Sequence, residues 1–283
     1  MKTILVTGAN GQLGKCFQKQ AKKYPNYKFL FCSSRELDIT DKESLQRIFR
    51  EHKPDYCINT AAYTNVEKAE KEKEKAFLVN AEAAGNVAEI CKQHDTTLFH
   101  FSTDYVFNGK ASTPYGETDG VEPINVYGAS KLKGEENIQA IFDKYFIFRT
   151  SWLYSEFGHN FFNTILRKAD ENAELNITTS QLGTPTNAND LAEFVLKIID
   201  SDSRQYGLYH FSNLGEATWY DFAEEILNYS GKIDQVSLNK TGFFKTLAER
   251  PEYSVLSKER AQRNFGFLIL DWKESLHSLI DEK

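Results

Sequence analysis

With 283 residues, 41% of them apolar and 26% charged, the chain suits one large α/β domain or two modest ones with a sizeable core. A formal net charge of -6 gives it no basic face, which disfavours nucleic acid and anionic membrane surfaces as partners. Four cysteines (Cys16, Cys32, Cys57, Cys91) without C-x-x-C pairing, no signal-like or membrane-spanning apolar run and six scattered histidines predict a reduced, cytoplasmic protein with no catalytic metal.

The first segment, "TILVTGANGQLGK", has an apolar, β-branched run centred on Ile4 to Val6. It ends in Gly8-x-x-Gly11-x-x-Gly14 and leads into the amphipathic "QLGKCFQKQAKKY". Strand, glycine turn and helix in that order are the setting of a dinucleotide site. Gly8 permits the turn, Gly11 lets the backbone approach a pyrophosphate and Gly14 lets helix pack on strand. The helix N-terminus adds free N–H groups and the positive end of a dipole. The spacing is not the usual G-x-G-x-x-G, and a purely structural turn is the competing reading.

A second strand is predicted at "YKFLFCSS". An acidic residue at its end would bond a ribose 2′-hydroxyl and select NAD; Ser33, Ser34 and Arg35 stand there instead. Arg35 is therefore a candidate for a 2′-phosphate, which leans toward NADPH with NADH possible, against a plain loop arginine. Asp38 and Ile39 fall where an adenine edge and face would be met, although Asp38 or Asp41 also reads as a cap for "KESLQRIFREH". "KPDYCINTAAYTNV" is a third strand running into a small-residue loop, where Ala61 and Ala62 leave room for a cofactor. "EKAEKEKEKAFLVNAEAAGNVAEICKQHD" reads as one long helix, with Asn80 either bridging backbone groups near the cofactor or lying on the surface.

"TTLFHFSTDYVFNG" is a fourth strand that turns polar at Ser102, Thr103 and Asp104, on the strand-end side where ligands of open parallel sheets gather. A loop rich in Gly, Pro, Ser and Thr delivers the chain to "NVYGASKLKGEEN". "YFIFRTSWLY" follows as a further buried strand. This alternation predicts a doubly wound parallel sheet.

Tyr127 and Lys131, four apart on a helix, share one face. An ammonium beside a phenol favours the phenolate and would bring a pKa near 10 toward the working range. Thr103, from the preceding strand end, would share a carbonyl with Tyr127. The same Y-x-x-x-K pattern at Tyr24 to Lys28 carries no such reading, because Pro25 breaks any helix there. In the competing view Tyr127 only packs on the loop and "SKLKGEEN" begins an exposed face.

"TGANGQLG", "NTAAYTNVEKAE", "STDYVFNG", "NVYGASKLKGE", "FRTSWLY" and "GTPT", in this order, resemble the dTDP-4-dehydrorhamnose reductase family of the extended short-chain dehydrogenase/reductases. The glycine turn and Tyr/Lys pair match the superfamily; "STDYVF" and "RTSW" narrow the match. The resemblance implies reduction of the 4-keto group of dTDP-4-dehydro-L-rhamnose to dTDP-L-rhamnose by NADPH or NADH. It implies Tyr127 as proton donor, Lys131 as its partner and ribose ligand, and Thr103 as the group that orients the carbonyl. Gly8, Asn10, Gly11, Gln12, Leu13, Gly14, Asp38, Ile39, Ala61, Ala62 and Tyr63 would line the cofactor. Asp104 would contact the sugar, and Trp152 would offer an aromatic face to sugar or nucleotide, unless it is a core residue. Lys15, after the glycine turn, is not acidic, so a metal-linked dimer known among relatives is not implied; a monomer or homodimer stays open.

The second half gives fewer signals. "QLGTPTNANDLAEFVLKIID" reads as a rigid corner at Pro185 and a capped helix, and "LYHFSNLGEATWYDFAEEIL" as strand, turn and a helix begun by Thr218. A dinucleotide-binding domain is expected over 1-152, with a return near 187-212, and a smaller α/β substrate lobe over 153-283. Arg250, before Pro251, is a candidate for the diphosphate, because a planar guanidinium matches phosphate oxygens, against a surface arginine. Two alternatives remain: another sugar-nucleotide epimerase or dehydratase of the superfamily, and a non-catalytic dinucleotide-binding subunit resembling the regulatory subunit of methionine adenosyltransferase.

Overall fold

The computed structural model describes residues 1–242 and 246–282; Lys283 and residues 243–245 of the expected lobe lie outside that description. Six strands form the main sheet: β1 (Lys2–Thr7), β2 (Tyr27–Cys32), β3 (Tyr56–Asn59), β4 (Thr97–Thr103), β5 (Tyr145–Thr150) and, after shorter strands described below, β10 (Gly207–His210). Their order across the sheet is β2-β1-β3-β4-β5-β10, and every pairing is parallel. The fold is the doubly wound α/β sheet read from the sequence. The strand order reverses between β1 and β3, so the ligand crevice of such a sheet opens beyond Thr7 and Asn59.

Strand residues alternate between two cores. Ile4, Val6, Ile58, Phe99, Phe146 and Phe148 pack toward α1 (Gln12–Ala21) and, after intervening helices, α8 (Ala188–Asp200). Leu5, Cys57, Leu98 and Ile147 pack the other way, against α2 (Lys42–His52), α5 (Ala83–Gln93) and α6 (Val126–Ile141). Phe99 and Phe146 stack with ring centroids 4.8 Å apart. Truncating a fully buried phenylalanine such as Phe148 to alanine would cost about 3–5 kcal/mol.

A third core joins Tyr154, Phe162, Ile165, Phe222, Trp272 and Leu276. It is built from α7 (Phe161–Asp170), α9 (Trp219–Tyr229) and α11 (Trp272–Asp281), with α10 (Glu259–Phe265) preceding the last of these. Short strands complete this part: β6 (Leu153–Tyr154) with β9 (Thr186–Asn187), β7 (Glu174–Thr178) with β12 (Ser237–Thr241), and β8 (Leu182–Gly183) with β11 (Ala217–Thr218). Thr218 starts α9 with a capping box closed by Asp221, and Asn187 caps α8.

Two expected elements are broken. The long charged helix is instead α3 (Val66–Ala69) and α4 (Lys73–Phe77), then a π-helical turn over Leu78–Glu82, then α5. A π turn admits an extra residue and re-aims what it carries; here it carries Asn80. The run "YFIFRTSWLY" is two strands, because Trp152 adopts a left-handed backbone with φ +46°. That bend ends β5 at the crevice and starts the third core. Among the described residues no helix is long and apolar enough to cross a membrane.

Candidate active site

The glycine turn lies between β1 and α1. Gly8 has φ +64°, and a Cβ there would sit 2.7 Å from Ala61 N, so turn and β3 loop touch through backbone alone. A Cβ on Gly14 would meet Gly8 O at 2.6 Å, the close packing of helix on strand that its position predicts. Gly11 caps α1 with extended backbone and no side-chain hydrogen bond. The first N–H groups of the helix are thus aimed at the crevice without a side-chain cap, and Asn10 and Gly11 are exposed. This cradle, narrow in backbone and rich in donors, fits a dinucleotide pyrophosphate. Gln12 Oε1 accepts from Asn160 Nδ2 at 2.8 Å, which ties the turn to the chain entering α7, while Leu13 anchors α1 in the core.

The wall opposite is the Ala61–Tyr63 loop. Asn80 holds it: its Oδ1 accepts from Tyr63 N at 2.8 Å, and its Nδ2 donates to Tyr63 O at 3.0 Å and Ser130 Oγ at 2.9 Å. The Ser130 hydroxyl donates in turn to Tyr127 O. Asn80 is 2% exposed, so it is a buried bridge rather than a surface side chain.

Thr103, Asp104, Tyr127 and Lys131 converge beyond the end of β4. Asn125 caps α6 by accepting from Gly128 N at 2.7 Å and donates to Glu249 O at 2.8 Å, while Glu70 Oε1 accepts from Val126 N at 2.8 Å. α6 then runs very close to its neighbours. A Cβ on Gly128 would lie 2.1 Å from Tyr105 O, and one on Gly134 2.1 Å from Asn80 O. The Thr103 hydroxyl donates to Asp104 Oδ1 at 3.0 Å and lies against the Tyr127 phenol. Lys131, one turn on, is 3% exposed and faces His100.

Electrostatics here differ from the expectation for Tyr127. Its pKa is pushed up to about 12 by burial and by the Asp104 charge, with the Thr103 hydroxyl pulling the other way. No lowering by Lys131 offsets this: burial brings that ammonium down to about 8, against the pull of Glu135. Tyr127 is therefore a firmly protonated phenol at neutral pH. Burial raises Asp104 to about 6, opposed by the Ser254 and Thr103 hydroxyls.

The other candidates are distributed between core and surface. Ile39 is 3% exposed and packs with Leu5, Cys32 and Leu37, so its side chain belongs to the core and offers no face to an adenine. Asp38 is exposed and accepts from Thr40 N and Oγ1, while Asp41 caps α2. Arg35 is exposed at the end of β2. An acid is present there after all: Glu36 folds back so that its Oε2 accepts from Ser33 N at 2.8 Å and Ser33 Oγ at 2.7 Å. Trp152 stacks on Trp219, centroids 3.7 Å apart and planes 6° from parallel, and Gly183 presses on the ring where a Cβ would come within 2.6 Å. Trp219 thus covers one indole face, Gly183 packs against the ring, and Trp152 is half-buried. Arg250 Nη2 donates to Glu67 Oε1 at 3.1 Å, and the guanidinium lies against the Tyr105 hydroxyl beside Tyr127.

Sequence reasoning passed over Asn125, Gly128, Gly134, Glu135 and Arg149. The inward face of α6 carries Gly128, Ser130, Lys131, Gly134 and Glu135, so the apolar periodicity that marks a buried face is missing. The clue available was Glu135, placed i+4 from Lys131. Among the described residues no group of three or more His, Cys, Asp or Glu is arranged to hold a metal ion.

The sequence profile of the family described as RmlD substrate binding domain matches residues 1–283. The chain is 37% identical over 289 residues to dTDP-4-dehydrorhamnose reductase of Aggregatibacter actinomycetemcomitans, covering 99% of this chain and 98% of that protein. It is 38% identical over 283 residues to the spore coat polysaccharide biosynthesis protein SpsK of Bacillus subtilis (strain 168), covering 100% and 98%. The crystal structure of dTDP-4-dehydrorhamnose reductase from Bacillus anthracis strain Ames, in complex with NADP, superposes with a TM-score of 0.95 at 38% identity, covering 100% of each chain.

Proposed function

We propose, from the premise that the chain belongs to the RmlD substrate binding domain family, that it is an NADPH-dependent oxidoreductase. Its reaction is reduction of the 4-keto group of dTDP-4-dehydro-L-rhamnose to dTDP-L-rhamnose. The observation that carries this reading is the meeting of the Thr103 hydroxyl and the Tyr127 phenol at the end of β4, with Lys131 one turn away. NADPH, when bound, supplies a hydride to the carbonyl carbon. Gly8 to Gly14 and the Ala61–Tyr63 loop would hold the dinucleotide, and Lys131 would donate to its ribose.

Thr103 and Tyr127 hydrogen-bond the carbonyl oxygen. A phenol with its pKa pushed up to about 12 keeps its proton until the oxygen becomes basic enough to take it. The oxygen then becomes the product hydroxyl, and the phenolate recovers a proton from solvent. Asp104 orients the sugar, Trp152 borders it, and Arg250 meets the diphosphate on exchanging its contact with Glu67. Residues 1-152 with the return near 187-212 act as the dinucleotide domain, and the rest chiefly as the substrate lobe.

The test follows NADPH and NADH absorbance with dTDP-4-dehydro-L-rhamnose for wild type and Tyr127→Phe. Wild type oxidises the cofactor, and the variant is slower by at least ~10²-fold; equal rates remove Tyr127 from the chemistry. A second reading rests on Asp104, whose raised pKa suits an acid–base carboxyl. A sugar-nucleotide epimerase or dehydratase would form product without net cofactor oxidation. A non-catalytic subunit would bind the dinucleotide and turn nothing over.

A further inference from the structure

The polar cluster beneath α6 extends beyond the groups assigned above. Glu135 lies one helical turn after Lys131 and is 1% exposed. A buried carboxylate requires partners, and these come from two strands. Arg149, from β5, donates from Nε to Oε1 at 3.0 Å and from Nη2 to Oε2 at 2.7 Å, and the Ser102 hydroxyl, from β4, donates to Oε1. Ser102 immediately precedes Thr103. One carboxylate thus joins the helix that bears Tyr127 and Lys131 to the strand end that bears Thr103.

The charged and titratable groups around Lys131 are Glu135 and Tyr127 on α6, His100 on β4 and, across the carboxylate, Arg149 on β5; Asp104 faces Tyr127. His100 and His210 are both kept neutral, His100 by burial and the Lys131 charge and His210 by burial and the Arg149 charge. Arg149 is therefore paired directly with the carboxylate, and Lys131 stands one helical turn from it, buried on the same helix.

We propose that Glu135 is a positioning residue of this site. Pinned by Arg149 and Ser102, its carboxylate fixes the rotation of α6 over the ends of β4 and β5 and supplies the counter-charge that keeps Lys131 an ammonium. What Lys131 does for turnover rests on the reductase reading. Its charge state does not.

Glu135→Gln keeps the volume and an acceptor while removing the negative charge. The titration of Lys131, followed by the NMR signal of its labelled side chain and assigned by the loss of that signal in Lys131→Met, moves down by about 1–3 pH units. The high-pH limb of kcat/KM moves with it. Glu135→Asp, which restores the charge, brings both back toward wild type. Arg149→Gln removes a cation from the same cluster and shifts them upward. General loosening of the fold rehydrates Lys131 and shifts its titration upward, so the downward shift in Glu135→Gln is what decides. Should Glu135→Gln not fold, the same change combined with Arg149→Gln, which leaves no buried charge unpaired, is read for that downward shift. An unmoved Lys131 titration, or an even loss of activity at every pH, overturns the proposal. Wild type without turnover but with these titration shifts would remove the reductase reading and support this one.

Discussion

Asn80 closes both backbone groups of Tyr63, accepting from its N–H at 2.8 Å and donating to its carbonyl at 3.0 Å. The same amide donates to Ser130 on α6, so the Ala61–Tyr63 loop and the Tyr127 helix share one fastener. Asn80→Ala takes the side-chain partner from both half-buried Tyr63 backbone groups and from Ser130, and should destabilise the protein by about 1–3 kcal/mol in urea unfolding. It should also raise the KM for NADPH more than it lowers kcat, because it loosens a binding wall and leaves the reacting hydroxyls in place. An unchanged KM would show that the wall is held by other means.

Gly134 and Gly85 make a matched pair across the contact between α5 and α6. A Cβ on Gly134 would meet the Asn80 carbonyl oxygen at 2.1 Å, whereas one on Gly85 finds side chains at ordinary contact, Asn137 at 3.4 Å and Ile141 at 3.7 Å. Gly134→Ala must push α6 off the π turn, at a cost of about 1–3 kcal/mol. Gly85→Ala gains helix propensity of roughly 1 kcal/mol. Melting the two variants side by side checks the sign of each. Opposite signs for the same substitution are the expected outcome, and two stabilised variants would show that the helices are not in contact at Gly134.

These glycines mark the boundary of what was legible in the sequence. The parallel sheet, the Gly8 turn and the caps at Asp41 and Thr218 announce themselves through local signals: buried strand runs, a strand-turn-helix order, polar caps before helices. The break at Trp152 does not, since an apolar run looks the same whether it is one strand or two strands separated by a left-handed residue. The π turn at Leu78–Glu82 was hidden for a similar reason, as one extra residue barely disturbs a helical pattern. Glu135 and Arg149 stand on different elements, 14 residues apart, and each is charged, so the buried face of α6 resembled a solvated one until the fold brought them together.

Asp104 should make stability fall as pH rises through the mildly acidic range. Burial lifts its pKa from 3.8 to about 6, so the folded state holds the proton more tightly than the unfolded chain does. That contribution is fully present below about 4 and is lost as pH passes about 6. A shift of this size corresponds to roughly 3 kcal/mol as an order of magnitude. Carboxylates held low by partners, such as Glu67 and Glu156, act in the opposite direction in wild type. The informative quantity is therefore the stability difference between Asp104→Asn and wild type, which should widen in favour of the variant between pH 4 and pH 7 by about that amount. A difference that stays flat across this range means that Asp104 titrates as an ordinary carboxylate.

Arg35 should decide between the two nicotinamide cofactors, and the arrangement at the end of β2 gives the sign. An NAD-selecting carboxylate must be free to bond a ribose 2′-hydroxyl and would repel a phosphate there. Glu36 is the nearby acid, but its Oε2 is taken up by Ser33 N–H and hydroxyl, and these bonds lower its pKa and keep it an anion turned onto the backbone. Arg35 is exposed beside it and supplies the fork of donors that a 2′-phosphate matches. Arg35→Ala should raise the KM for NADPH by about 10-fold, the equivalent of one charge-assisted contact, and leave that for NADH nearly unchanged. Arg35→Glu should go further against NADPH by placing a second carboxylate at the phosphate. Steady-state kinetics with each cofactor read the ratio directly, and parallel changes for both would assign the 2′-phosphate to another group.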